Sequence, residues 1–295
     1  MDGTTDLFAR LQPRLLGVAY RMLGSLPEAE DVVQEVWLSW NAADASQVLD
    51  PEAWLVTATT RRAIDSLRRV RAAREQYVGI WLPEPVLTDG PPGPEQLQEI
   101  SSDLSVAFLA VLERLAPEAR AAFLLREVFD ADYADIARTL GRSEAACRQI
   151  VHRAKDQLRE ERPRYVVSAD AHQRIMRRFA QAWNDADLAG MKALMADSAT
   201  LVGDGGGIVN AFPDPITGGA RISQLLFSST LRPEREMRLV LVPINGRLGV
   251  LRYFHEELES AQCYDTDGER IVGVYVQRNP EKLARIVAQR RAHLN

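Results

Sequence analysis

The chain has little of what marks extracellular, metal-binding or membrane proteins. Its 295 residues hold only two cysteines, Cys147 and Cys263, and four histidines. The cysteines lie far apart and without metal-ligand spacing, which argues against a disulfide framework and for a reducing compartment. No stretch approaches the ~18 consecutive apolar residues of a spanning helix. The opening residues MDGTTDLFARLQPRLL carry Asp2 and Asp6 and no long apolar run, so neither a signal peptide nor an anchor is expected there. The chain reads as cytoplasmic. No metal site or cofactor is expected. An excess of positive charge is also missing, with 36 Lys and Arg against 41 Asp and Glu for a net charge of −5.

What is present is charge sorted along the chain. Residues 1–75 hold 9 basic and 11 acidic side chains, residues 76–162 hold 10 and 15, and residues 163–295 hold 17 and 15. Within the first stretch, RRAIDSLRRVRAAR (61–74) has six arginines against the single acid Asp65, whereas residues 28–35 have four acids and no base. Such separation predicts a polyanionic partner and a basic partner on different faces of one small domain. The length exceeds one typical core of ~100–200 residues, so two or three domains are expected.

Apolar periodicity predicts helices from about Asp6 to Leu23, Pro27 to Trp40 and Pro51 to Arg74, with both prolines at tolerated first-turn positions. In AEDVVQEVWLSW (29–40) the apolar residues recur at intervals of three and four, leaving Glu30, Asp31 and Glu35 on the other side. The segment YVGIWLPEPVLTDGPPGPEQL, with Pro83, Pro85, Pro91, Pro92 and Pro94, cannot continue a helix and predicts a linker over 76–100. Helices resume at about Ser102 and run to about Glu161, and Arg162 and Pro163 open a second junction. The domain boundaries expected are thus 1–75, 101–163 and 164–295. In the last of these, helical stretches precede period-two runs. Asn245-Gly246 sits between two apolar runs as a hairpin signal, and DTDG (265–268) marks another turn, which predicts an α+β domain with an antiparallel meander.

Residues 133–158, YADIARTLGRSEAACRQIVHRAKDQL, predict a helix-turn-helix. Gly141 suits the positive φ that ends the first helix, and Ser143 suits the cap of the second. Cys147, Val151, Ala154 and Leu158 form an inward stripe. Arg148, His152 and Lys155 share the opposite face, with Gln149 and Arg153 beside it, as in a helix that enters the DNA major groove.

An all-helical unit with EDVVQEVW, then WLVTATTRRAIDSLRR, then a linker and a helix-turn-helix ending in HRAKDQLR, resembles the extracytoplasmic-function (ECF) class of bacterial RNA polymerase sigma factors over about residues 6–162. The resemblance implies region 2 over 1–75 and region 4, reading the minus-thirty-five element, over 101–163. It also implies that Asp31, Gln34 and Glu35 contact the clamp helices of the polymerase's largest subunit. Trp54, Arg61, Arg62, Arg68 and Arg69 are implied to meet minus-ten DNA, with NAADASQVLDPEA (41–53) as a loop that captures an unstacked base. Arg61 departs from the family, where many members have Asn.

WLPEP (81–85), DGGG (204–207) and NPEKL (279–283) resemble a group of these sigma factors that carries a fused SnoaL-like, NTF2-like cone domain thought to regulate the sigma core within one chain. The interdomain residues implied are Trp81, Leu82, Pro83, Glu84, Pro85, Asp204, Gly205, Gly206, Gly207, Asn279 and Pro280. DGGG is read as offering bare backbone for close approach, so bulky residues at Gly205 and Gly206 are expected to leave thermal stability nearly unchanged. A small-molecule ligand in the cone is conceivable. No catalytic acid is marked among Asp204, Asp214 or Asp265. Two other readings stay open: a ligand-responsive helix-turn-helix repressor, and a bifunctional protein with an isomerase-like C-terminal domain.

Overall fold

Apolar residues three and four apart join the first three helices into a bundle. These are α1 (Gly3–Leu23), α2 (Leu26–Ala42) and α3 (Pro51–Glu75). They belong to a computed structural model that describes residues 3–44, 48–88, 105–161, 167–231 and 236–292. Pro91, Pro92, Pro94, Ser102, Arg162, Pro163 and part of the 41–53 loop lie outside the described residues. Leu15, Val18 and Leu23 of α1, Val32, Val36 and Trp40 of α2, and Leu55, Ile64 and Leu67 of α3 are all buried. Trp37 is half-buried against Phe8, with ring centroids 4.8 Å apart.

Four further helices follow: α4 (Val106–Leu112), α5 (Pro117–Glu127), α6 (Tyr133–Leu140) and α7 (Glu144–Glu161). The α6–α7 turn has the chemistry expected of it. Gly141 takes φ 65° at the end of α6, and Ser143 Oγ accepts from Ala146 N at 3.2 Å. Cys147, Val151, Ala154 and Leu158 are buried, which leaves the basic side of α7 outward.

The two helical halves form one compact unit that excludes Tyr77 to Thr88 and Ser105 to Ala107. They are joined through Glu113. Arg120, almost wholly buried at the start of α5, donates to Glu113 Oε1 at 2.8 Å and to the Met22 carbonyl at 2.6 Å. Arg74 donates to Glu113 Oε2 at 2.7 Å and to the Leu23 carbonyl at 2.5 Å. Burial pulls the Arg120 guanidinium below its ordinary pKa, and Glu113 opposes the shift. Glu113 is thus shared by two desolvated arginines, Glu28 lies 3.4 Å from Arg74 as a second counter-charge, and α1 carbonyls take other N–H groups.

The second unit contains α8 (Ala169–Asn184), α9 (Leu188–Ala193), β1 (Met195–Asp204), β2 (Ile216–Thr217), α10 (Gly219–Phe227), β3 (Met237–Ile244), β4 (Arg247–Phe254), β5 (Glu257–Thr266), β6 (Ile271–Gln277) and α11 (Pro280–Ala292). The sheet order is β2-β1-β6-β5-β4-β3. Strands β3 to β6 form the expected antiparallel meander, and both residues of the Asn245-Gly246 turn have positive φ, as a two-residue hairpin requires. The sheet as a whole is mixed, because β1 pairs with β6 in parallel. The long path from β1 through β2 and α10 supplies the crossover that parallel pairing needs, and period-two patterning carries no information about it. Ile175, Phe179 and Trp183 of α8 and Ile222 of α10 pack with Leu201, Val250, Tyr264 and Val274 of the sheet. Leu283 and Ile286 of α11 pack with Leu251, Tyr253 and Ala261, and Leu87 joins them.

Glu113→Ala removes the carboxylate from Arg120 and one of the two from Arg74, and is expected to destabilise the helical unit by about 3 kcal/mol. Urea unfolding followed by helical circular dichroism measures it, and a change below about 1 kcal/mol would show that the surrounding carbonyls suffice.

Candidate functional site

On α2, Asp31, Gln34 and Glu35 are all exposed. The charges separated in sequence meet in space at one point: Arg62 Nη1 lies 2.6 Å from Glu35 Oε2, and its Nη2 donates to Ser39 Oγ at 3.0 Å. Acidic and basic surfaces of this domain are therefore contiguous at α2–α3, where the sequence predicted separate faces. Trp54 is half-buried, its ring centroid 5.2 Å from that of buried Trp40.

Of the remaining α3 arginines Arg61, Arg68 and Arg69, all exposed, the first two are also engaged by other helices. Arg61 Nε donates to the Thr139 carbonyl and Arg61 Nη2 to the Arg138 carbonyl, both at 2.8 Å. These are last-turn carbonyls of α6, the groups a helix leaves without internal partners and at its negative dipole end. Thr57 and Thr139 hydroxyls are 3.0 Å apart. Arg68 pairs with Asp65 at 2.8 Å and also with Glu118 of α5. Arg69 is exposed. The arginine face of α3 is thus partly covered by α5 and α6.

On α7, Arg148, Gln149, His152 and Arg153 are exposed. Arg148 pairs with Glu144 at 2.7 Å and lies over the Tyr133 ring at 5.0 Å, and His152 Nδ1 is 3.1 Å from Asp156. Lys155 reaches back to Glu127 at 2.7 Å, which leaves it half-buried rather than fully on the outer face.

Residues Tyr77 to Thr88 belong with the C-terminal unit. Val86 N donates to Asn245 Oδ1 at 3.0 Å, Asn245 N donates to the Val86 carbonyl at 2.8 Å, and Leu87 bridges to Ile244. Leu82, Pro83, Glu84 and Pro85 are buried, and Trp81 is half-buried. The centre of this contact is Asp204, fully buried at the end of β1. Its Oδ1 accepts from Tyr77 OH at 2.6 Å and Gly206 N at 2.9 Å. Its Oδ2 accepts from Leu82 N at 2.9 Å, Lys282 Nζ at 2.7 Å and Gln277 Nε2 at 3.2 Å. Lys282 also donates to the Leu82 carbonyl at 2.6 Å and sits 4.2 Å from the Trp81 ring centroid. Asn279 starts α11 by accepting from Glu281 N at 3.0 Å and donates to Tyr77 OH at 3.0 Å. Pro280 is exposed. Burial, reinforced by Asp204, pushes the Tyr77 phenol well above its ordinary pKa, so it remains a donor.

Two expectations change here. DGGG acts through the Asp204 carboxylate as much as through bare backbone. Gly205 and Gly206 are sterically required: a Cβ on Gly205 would meet the Val209 carbonyl oxygen at 2.1 Å, and one on Gly206, at φ 65°, would meet Asn279 Nδ2 at 2.3 Å. Bulky residues there must cost stability, contrary to the sequence-based expectation. Tyr77, Gln277 and Lys282 were missed. Lys282 had a readable signal, since a lysine in the first turn of a helix opposes the macrodipole and needs another anion.

No helix among the described residues is long and apolar enough to cross a membrane. Among them, no group of three or more His, Cys, Asp or Glu is placed to hold a metal ion.

A three-helix unit with an acidic α2 and an arginine-rich α3, followed by a helix-turn-helix, defines a sigma-type transcription initiation factor. The Sigma-70 region 2 family matches residues 7–73 and the Sigma-70 region 4 family matches residues 105–158. The chain is 35% identical to the ECF RNA polymerase sigma factor SigJ of Mycobacterium tuberculosis, over 92% of this chain and 86% of that one. It is 28% identical to the probable ECF RNA polymerase sigma factor SigI of the same species, over 91% of each. The crystal structure of M. tuberculosis SigJ superimposes with a TM-score of 0.78 at 29% identity, covering 95% of this chain and 98% of the other. This chain belongs to the ECF RNA polymerase sigma factor family, with an additional SnoaL-like, NTF2-like α+β domain.

Asp204→Asn keeps the shape of the side chain and removes the charge opposite Lys282. A loss of about 3 kcal/mol from the C-terminal domain is expected, together with new chymotryptic cleavage at Tyr77 or Trp81. Unchanged melting and protection would show that Asp204 does not hold the linker.

Proposed function

We propose that Asp31, Gln34 and Glu35 dock on basic clamp helices of the largest polymerase subunit. The α3 segment with Trp54, Arg61, Arg62, Arg68 and Arg69 then engages the opened minus-ten strand. Arg148, Gln149, His152, Arg153 and Lys155 read the minus-thirty-five element. An exposed acidic helix complements a basic partner. An outward basic recognition helix suits the groove and its phosphates. Trp54 contributes as a support held by Trp40 rather than as an open stacking platform.

Arg61 carries the reading further. Its guanidinium is bound to the carbonyl end of α6, and Arg68 is bound to Glu118. A strand of DNA competes with α5 and α6 for the donor groups of these arginines, so the arrangement is a closed state of the sigma core. Polymerase and promoter bind the open state better and shift the population toward it. Regulation in cis then has a physical basis. The C-terminal domain holds Tyr77 to Thr88 through Asp204 and Lys282, which shortens the free tether between the two helical halves. Releasing it lengthens that tether and lets the halves separate.

Run-off transcription with purified core polymerase on a matched promoter tests the function. Asp31→Arg is expected to weaken core binding at least tenfold with the helical content unchanged, because it sets like charge against a basic surface. Undiminished affinity removes the docking assignment. Glu118→Lys, which repels Arg68 and loosens the closed state, is expected to raise the transcript yield. An unaltered yield, with the variant folded, discards the closed-state reading while leaving the docking assignment intact.

A further inference from the structure

We propose that the cone of the C-terminal domain is a binding site for a small, largely apolar carboxylic acid, whose carboxylate is held by Arg252 and Arg278. The cavity has a volume of about 230 Å³. Its wall is apolar over Leu201, Phe212, Leu225, Leu226, Phe254 and Val276. One charged cluster interrupts it. Glu259 Oε2 lies 2.7 Å from Arg252 Nη2 and Glu259 Oε1 lies 2.7 Å from Arg278 Nε. Arg252 also lies near two rings, 5.9 Å from the Trp183 centroid and 5.5 Å from that of Phe254. Arg278 is positioned from behind by the Asn210 carbonyl.

The charge count decides the ligand's sign. Two guanidiniums share one carboxylate, and no second acid is among the described residues that line the cavity. One positive charge is therefore left without a counter-charge among the described residues of the wall. An anion neutralises it and gains charge-assisted hydrogen bonds in the fork geometry that guanidinium and carboxylate share. A cation meets net repulsion, and a neutral ligand desolvates the cluster without neutralising it.

The other polar groups are already engaged. Ser228 and Ser229 hydroxyls donate to the Leu225 and Leu226 carbonyls, and Gln262 is tied to Ser260 and Tyr264. Selection thus falls to the arginines and the apolar wall. The cavity volume of about 230 Å³ is that of a site for a small aromatic or branched acid rather than for a single water or ion. Glu259 itself does not suit proton abstraction. Burial alone would raise its carboxyl, but Arg252 and then Arg278 outweigh that and hold it below the ordinary value, which makes it a weak proton acceptor. Binding, not isomerase-type catalysis, is the activity the cavity supports.

The inference does not depend on the polymerase or promoter assignments, and its readout is binding alone. Isothermal titration of the full chain with benzoate, benzamide and benzylamine tests it. Benzoate is expected to bind saturably at one site, and the neutral and cationic isosteres at least tenfold more weakly. Arg278→Gln, at a partly exposed position, is expected to lower benzoate affinity at least tenfold. Leu225→Trp, which fills the apolar wall, is expected to abolish it. Equal binding of benzamide, no benzoate binding up to about 10 mM, or benzoate binding indifferent to both variants overturns the proposal.

Discussion

Asp204 is the constraint from which the C-terminal domain's contact with the linker follows. A carboxylate with no exposed surface is tolerable only if its charge is matched and its lone pairs are filled. Lys282 supplies the charge, and Tyr77, Leu82, Gly206 and Gln277 fill the remaining sites. The groups come from four places: the linker, the end of β1, the end of β6 and the first turn of α11. Each therefore has one permitted position relative to the others. The glycines after Asp204 belong to the same requirement, since the chain must turn back beneath Asn279 where a side chain would collide.

The helical unit uses the same device with the signs exchanged. There, Glu113 sits between Arg74 and Arg120, and the carbonyls of Met22 and Leu23 accept from the same arginines. Arg61 takes carbonyls alone, at the end of α6. Arginine suits all three places, because a planar donor fork can satisfy carbonyl and carboxylate oxygens alike. The consequence for function is competition: an arginine fork that fits helix-end carbonyls also fits phosphate. On the proposed reading, the surface that engages DNA is therefore also able to close on its own chain.

The cone cavity shows the contrasting case. Its Arg252, Glu259 and Arg278 come from β4, β5 and the residue after β6, adjacent strands of one antiparallel meander. The pairing is local to the sheet, yet it leaves an odd positive charge facing an apolar space.

Local signals settled much of the fold. The three N-terminal helices, the Gly141 and Ser143 chemistry of the helix-turn-helix, and the Asn245-Gly246 hairpin are determined by residues within a few positions of one another, so periodicity and turn preferences reveal them. The acidic positions of α2 and the outer face of α7 are legible for the same reason. What needed the tertiary structure were facts about partners distant along the chain. They are the parallel pairing of β1 with β6, Arg61 on the carbonyls of α6, Lys155 turned back to Glu127, and Asp204 buried against Lys282. A sequence states which groups carry charge and which turns are allowed. Whether a given charge meets water, DNA or another part of the chain depends on desolvation and geometry, and those exist only once distant segments have packed.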